Sequence, residues 1–191
     1  MENLTLETDE YNKLKHAFMG GFTHANAYYT NKTLSNVHSV DFTSSYPSVM
    51  LAEKFPMGKG FNPTNEEILQ NGYDYYLDNF CCLIGAVFTG LKNKFIHESY
   101  LYENKCKIKG NKLINNGRIY QADYASCYIT DVDLWAIKKC YNYDSIEIKD
   151  ITCYPKGYLP KPIIESVLEL YQKKTELKGV QGKEVEYLLS K

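Results

Sequence analysis

The segment Val40-Asp41-Phe42-Thr43-Ser44-Ser45-Tyr46-Pro47-Ser48 constrains the fold of this chain more than any other stretch. It sets an acidic residue at the end of an apolar run, then a polar tight turn, then an aromatic residue and a proline. Asn36 to Phe42 reads as a short strand, because Val37, Val40 and Phe42 are apolar and favour extended backbone. Pro47 suits the first turn of a following helix, where its missing N–H has no intrahelical partner to lose. Ser48 to Lys54 continues that helix, with Val49, Met50, Leu51 and Phe55 available to a core. Asp41 is therefore expected to project from a strand end, with the free N–H groups of the next helix pointing into the same space. A carboxylate for a divalent metal beside a helix N-terminus for phosphate is equipment for phosphoryl transfer.

The 191-residue chain as a whole reads as ordinary globular material, with 44% hydrophobic and 24% charged residues. No apolar run approaches the length of a membrane span and no signal-peptide pattern opens the chain, so no membrane partner and a cytoplasmic location are expected. Six cysteines (Cys81, Cys82, Cys106, Cys127, Cys140, Cys153) lack paired zinc-ligand spacing and fit buried thiols in a reducing compartment. The 22 basic and 23 acidic residues give a net charge of −1, so any contact with nucleic acid must be local.

Along the chain, Leu6 to Phe18 carries Leu6, Tyr11, Leu14 and Phe18 at helical spacing, with Thr8 or Asp9 as cap and Gly20-Gly21 as stop. Gly58, Gly60 and Pro63 mark a loop before a short helix around Glu66 to Gln70. Phe80 to Leu91 reads as a buried strand. Lys105 to Ile119 is hairpin material around Asn115-Asn116-Gly117, and Tyr120 to Ile129 is a further strand. Thr130 caps a helix reaching about Tyr141. Ser145 to Cys153 is a strand, Ile163 to about Lys178 a helix, and a second helix begins near Lys183 after Gly179 and Gly182. If Lys105, Lys107 and Lys109 share one face of a strand, they either guard a sheet edge or track phosphates.

Three motifs together resemble the protein-primed branch of the family B DNA polymerases, which serves phages, linear plasmids and organellar elements. Asp41-Phe42-Thr43-Ser44-Ser45-Tyr46-Pro47-Ser48 is similar to the first palm motif, usually D-x-x-S-L-Y-P-S. Phe18-Met19-Gly20-Gly21-Phe22-Thr23 is similar to the Tyr-x-Gly-Gly motif, with Phe18 in place of tyrosine. Glu186-Tyr187-Leu188-Leu189-Ser190-Lys191 looks like the start of the fingers motif, cut at its lysine. The order and separation of the three match the family across nearly the whole chain.

The resemblance implies an α+β fold: a partial polymerase palm with a mixed or antiparallel sheet and helices, a β-rich insertion, and a C-terminal helical fingers segment. Residues 1–60 would be the N-terminal part of the palm, 61–129 the insertion (the terminal-protein region), 130–160 the return to the palm, and 161–191 the start of the fingers. The implied activity is two-metal nucleotidyl transfer in DNA replication. The partners would be template-primer DNA, deoxynucleoside triphosphates and a terminal priming protein, with Mg²⁺ as cofactor and Mn²⁺ as the alternative ion. By motif position, Asp41 would be the catalytic carboxylate and a metal ligand, with the Phe42 carbonyl completing one coordination shell. Ser44, Ser45, Tyr46, Lys173 and Lys191 would bind the incoming nucleotide, and Tyr46 would exclude a ribose 2′-OH. Gly20, Gly21, Phe22 and Thr23 would face DNA.

The second metal carboxylate is expected beyond Lys191, and the isolated chain is expected not to polymerise. Asp131-Val132-Asp133 has the family's Asp-x-Asp spacing but reads better as a helix opening. The histidines at positions 16, 24, 38 and 97 show no ligand spacing. Two other readings stay open: a non-catalytic protein- or DNA-interaction module in which Asp41 is structural, and an unrelated nucleotidyltransferase with similar local geometry.

Overall fold

A computed structural model describes residues 5–21, 27–42, 44–96 and 99–189. The fold is α+β, and the chain divides into two compact units: Met1–Val37 with Gly58–Pro155, and His38–Met57 with Lys156–Lys191.

The first unit is organised by β2 (Phe80–Asn93), whose apolar run makes it the central strand. It pairs antiparallel with β4 (Arg118–Thr130) on one side and β6 (Ser145–Gly157) on the other. β3 (Cys106–Asn115) pairs with β4 at the sheet edge, and the two-residue β5 (Tyr141–Asn142) joins the end of β2. Alternate residues of β2 enter separate cores, because strand side chains point to opposite faces. Ile84, Ala86 and Phe88 pack with Tyr76 of α3 (Asn65–Asn79) and with Leu134 and Ile137 of α4 (Asp131–Cys140). Leu83 packs instead with Leu14 and Ala17 of α1 (Thr8–Ala17). Ile84, Phe88, Leu91, Ile119, Ile129 and Ile137 are fully buried, at about 1.5–3 kcal/mol for each large apolar side chain.

Several expected elements form with shifted bounds. The hairpin turns at Asn116 (φ 48°) and Gly117 (φ 72°), the two left-handed residues that a two-residue turn of this kind needs. Thr130 caps α4 in a full capping box: its hydroxyl accepts from Asp133 N, and the Asp133 carboxylate accepts from Thr130 N at 2.8 Å. The short helix expected near Glu66 is the first half of α3, which continues past a break at Gly72 (φ 76°, ψ 158°) under its own Thr64–Glu67 capping box. β2 and β6 extend a few residues beyond their expected ends.

Three expectations are corrected. Asn36 to Phe42 forms no strand: Asn36 adopts φ 57°, which breaks extension, and no neighbouring strand pairs with the segment. Neither Thr8 nor Asp9 caps α1. Glu7 takes the cap position without a side-chain hydrogen bond, while Asp9 pairs with Lys13 at 3.1 Å and Glu10 accepts from Tyr154 Oη at 2.6 Å. Lys105 lies in a single 3-10 turn before β3 and donates to Lys15 O, so only Lys107 and Lys109 share the strand face. Their place on the edge strand, with Lys109 Nζ 5.2 Å from the Tyr124 ring centroid, fits edge protection.

The second unit contains α2 (Ser45–Ala52), the two-residue β1 (Phe55–Pro56), α5 (Lys161–Leu177) and α6 (Glu184–Leu189). α2 packs against α5. β1 pairs antiparallel with Lys156 and Gly157, the last residues of β6, and Lys54 Nζ stands 5.5 Å from the Tyr158 ring centroid. No helix among the described residues is long and apolar enough to cross a membrane.

Candidate active site

α2 begins at Ser45, which puts Pro47 in the first turn as expected, where its missing N–H costs nothing. Ser44 holds the N-cap position in a left-handed conformation (φ 51°, ψ 48°), and its side chain makes no capping hydrogen bond. The left-handed region is uncommon for a residue with a Cβ and costs about 1–2 kcal/mol. With the cap hydroxyl not engaged, the N–H groups of Ser45 and Tyr46 stay available at the positive end of the helix dipole. The first intrahelical bond runs from Ser48 N to Ser44 O at 2.9 Å.

Asp41 makes no hydrogen bond or ion pair with any described residue, so a turn-stabilising role does not account for it. The large side chains around it face solvent: Val40 is 94% exposed, and Phe42 and Tyr46 are each 85% exposed. The missing strand explains this pattern, since apolar spacing without a partner strand buries nothing.

Lys173 sits on α5 and pairs with Glu169 one turn earlier at 2.7 Å. The Glu169 carboxylate raises the Lys173 pKa, and the Lys173 ammonium lowers that of Glu169. The second unit thus holds Asp41, Phe42, Ser44, Ser45, Tyr46 and Lys173, with the α2 residues and Lys173 on two helices that pack together. Gly20 and Gly21 belong to the first unit, where a Cβ on either would meet nothing within 4 Å, and Gly21 O accepts from Tyr102 Oη at 3.3 Å. Phe22, Thr23 and Lys191 lie outside the described residues.

A metal fits this residue set only in part. Among the described residues no group of three His, Cys, Asp or Glu side chains is arranged to hold an ion. Asp133 is held in the α4 capping box and accepts from Tyr100 Oη at 2.5 Å, while Asp131 Oδ1 accepts from Cys82 N at 3.0 Å. The Asp131-Val132-Asp133 pair is accounted for by these contacts, so of these three aspartates only Asp41 has no contact among the described residues. Sequence reasoning missed the left-handed turn at Ser44, for which the Ser44-Ser45 pair gave no distinguishing signal.

The fold has clear relatives. The structure of phi29 DNA polymerase complexed with primer-template DNA and incoming nucleotide substrates superposes with a TM-score of 0.72 at 16% identity, over 98% of this chain and 30% of that one. The phi29 polymerase complexed with primer-template DNA alone gives a TM-score of 0.64 at 16% identity, over 91% of this chain and 28% of that one. The chain therefore spans less than a third of the length of the solved structures it matches. No curated protein matches it. The family model described as DNA polymerase type B, organellar and viral, matches residues 2–191. This chain belongs to that family of DNA polymerases.

Proposed function

We propose that this chain is part of a protein-primed DNA-directed DNA polymerase, and that the Asp41–Tyr46 segment is its nucleotide site. In this reading residues 1–60 and 130–160 belong to the palm, 61–129 to the insertion, and 161–191 to the start of the fingers. One observation carries the proposal. An exposed Asp41, without a partner among the described residues, leads through a left-handed Ser44 into a helix N-terminus whose first N–H groups are not capped by the Ser44 side chain.

Those N–H groups, on Ser45 and Tyr46, suit the phosphates of a deoxynucleoside triphosphate. Tyr46 would lie beneath the sugar and reject a 2′-OH by steric contact. Lys173, once released from Glu169, and Lys191 would neutralise triphosphate charge. Gly20, Gly21, Phe22 and Thr23 would follow the template backbone. Asp41, with the Phe42 carbonyl, would give one carboxylate to a divalent-cation site for Mg²⁺ or Mn²⁺ that the described residues do not complete. The exposure of Val40, Phe42 and Tyr46 supports a surface that DNA, nucleotide or further polymerase covers in use.

The test is primer extension by the full-length polymerase. Asp41→Ala is expected to abolish incorporation while leaving primer-template binding intact, and Tyr46→Val to raise ribonucleotide incorporation. The isolated chain is expected to incorporate nothing. Undiminished extension by Asp41→Ala would overturn the reading and favour an interaction module.

A further inference from the structure

Two buried thiols face each other across the β2–β6 ladder at a position that the polymerase reading does not use. Cys82 and Cys153 are register partners, with 2% and 0% exposure, and their sulfurs lie 4.0 Å apart. The backbone hydrogen bonds identify the type of pair. Cys153 N donates to Phe61 O at 2.8 Å and Cys153 O accepts from Phe61 N at 2.9 Å, so both main-chain groups of Cys153 point away from β2. Cys82 N is likewise turned from β6 and donates to Asp131 Oδ1. Cys82 and Cys153 are therefore a non-hydrogen-bonded pair, the closer of the two antiparallel kinds, with a typical Cα separation of about 4.5 Å. That value lies at the short end of the roughly 4.4–6.8 Å range that a disulfide bridges.

We propose that Cys82 and Cys153 form a peroxide-responsive thiol pair that closes into a cross-strand disulfide, fastening β2 to β6. The chemistry needs one equivalent of hydrogen peroxide. The Cys153 thiolate attacks one peroxide oxygen, the O–O bond breaks, and the departing hydroxide takes up a proton to leave a sulfenic acid and water. Cys82 sulfur then attacks the sulfenic sulfur, the S–O bond breaks, and hydroxide departs with the Cys82 proton as the second water. Two thiols lose two electrons in total, and the peroxide gains them. Hydrogen bonding from the Cys82 thiol lowers the Cys153 pKa, which favours Cys153 as the attacking partner. Cys81, the sequence neighbour of Cys82, points to the other face of the strand and is excluded by the same alternation.

The test is exposure of the reduced 191-residue chain to stoichiometric hydrogen peroxide, followed by alkylation and peptide mapping without reductant. The thiol count is expected to fall from six to four, with a two-dalton mass loss and one linked pair joining the Cys82 and Cys153 peptides. Cys81→Ser should keep the link, which assigns it to Cys82 although both cysteines share a peptide. Cys153→Ser should abolish it. An unchanged thiol count, a Cys153 peptide carrying only sulfinic acid, or a link from Cys153 to Cys81, to Cys106 or between two chains would each overturn the proposal. Mapping of the unsubstituted and Cys81→Ser chains decides the matter even if Cys153→Ser fails to fold.

Discussion

Gly85 of β2 lies directly against the carboxylate of Asp150 on β6: a Cβ at position 85 would fall on Asp150 Oδ1 and press within 3.2 Å of the Tyr128 ring. Asp150 is held there by Lys13 of α1 at 3.0 Å, and the ammonium pKa is raised by Asp150 first and Asp9 second. Asp150 is the register partner of Gly85, and the ladder slips by one residue just beyond it, where Ala86 pairs with Ile148. Gly85→Ala should therefore displace Asp150 and loosen α1. We expect a loss of about 1–2 kcal/mol in urea unfolding and faster hydrogen exchange across Thr8–Ala17. Unchanged exchange in α1 would show that Asp150 has another equally good position.

Gly90 should be less forgiving. It adopts φ 61°, and a Cβ there would overlap the Asp144 carboxylate, whose own N–H donates to Thr89 O at 2.9 Å. Left-handed strain of about 1–2 kcal/mol adds to that clash. Gly90→Ala is expected to cost more than Gly85→Ala, on the order of 2–4 kcal/mol. Equilibrium denaturation of the two variants side by side checks the order.

The sequence made much of this frame legible, and the physical reasons differ by element. β2 announced itself as an apolar run too long to be anything but central. The hairpin was readable because Asn116 and Gly117 tolerate positive φ, and α4 because Thr130 and Asp133 stand at capping-box spacing. Asn36 to Phe42 misled because alternation records what could be buried, while a strand also needs a partner. Ser44 in the left-handed region and the ladder slips near Gly85 and Gly110 stayed hidden, since they are set by what the chain meets across the sheet. At the candidate site, local pattern located the α2 N-terminus and Asp41. The Lys173–Glu169 pair follows from i, i+4 spacing but was not anticipated.

The α4 capping box makes a metal-free prediction about Asp131 and Asp133. Thr130→Ala removes the acceptor for Asp133 N and should cost about 1 kcal/mol. The isolated chain should show the same thermal midpoint with and without Mg²⁺, before and after the substitution. A Mg²⁺-dependent rise in the midpoint that disappears in Asp133→Asn would place an ion where the structure places a cap.

Alkaline pH should unfold the first unit through its tyrosines. Burial pushes the Tyr141 pKa up to about 12, and its hydroxyl donates to Ile119 O at 2.7 Å while accepting from Tyr100 N and Leu101 N. Burial also raises Tyr100 and Tyr154, helped by Asp133 and Glu10 respectively. The folded state binds these protons more tightly than the unfolded chain. Their contribution is therefore complete below about pH 10, the unfolded value, and is lost as pH rises toward the folded values. For Tyr141 the difference corresponds to about 3 kcal/mol. Urea midpoints should be flat from pH 7 to 9 and fall steeply above 10. Tyr141→Phe should be less stable at pH 7, because the buried Leu101 N–H and the half-buried Tyr100 N–H lose their acceptor, and should show a shallower alkaline fall.

Asp41 separates function from stability most sharply. It accepts no hydrogen bond, forms no ion pair among the described residues, and lies in an irregular exposed segment ahead of α2. A carboxylate held there to stabilise a turn would have backbone donors around it, and none among the described residues bonds to it. Asp41→Ala should therefore leave the unfolding free energy of this chain within about 0.5 kcal/mol, a shift of no more than about 2 °C in Tm for a chain of this size. The same substitution in the full-length polymerase should eliminate primer extension. Thermal melts and extension assays on matched variants measure the two effects independently. A loss above about 1 kcal/mol would make Asp41 a structural residue. Wild-type stability with no extension would leave the reacting nucleotide as the reason an acid stands at this position.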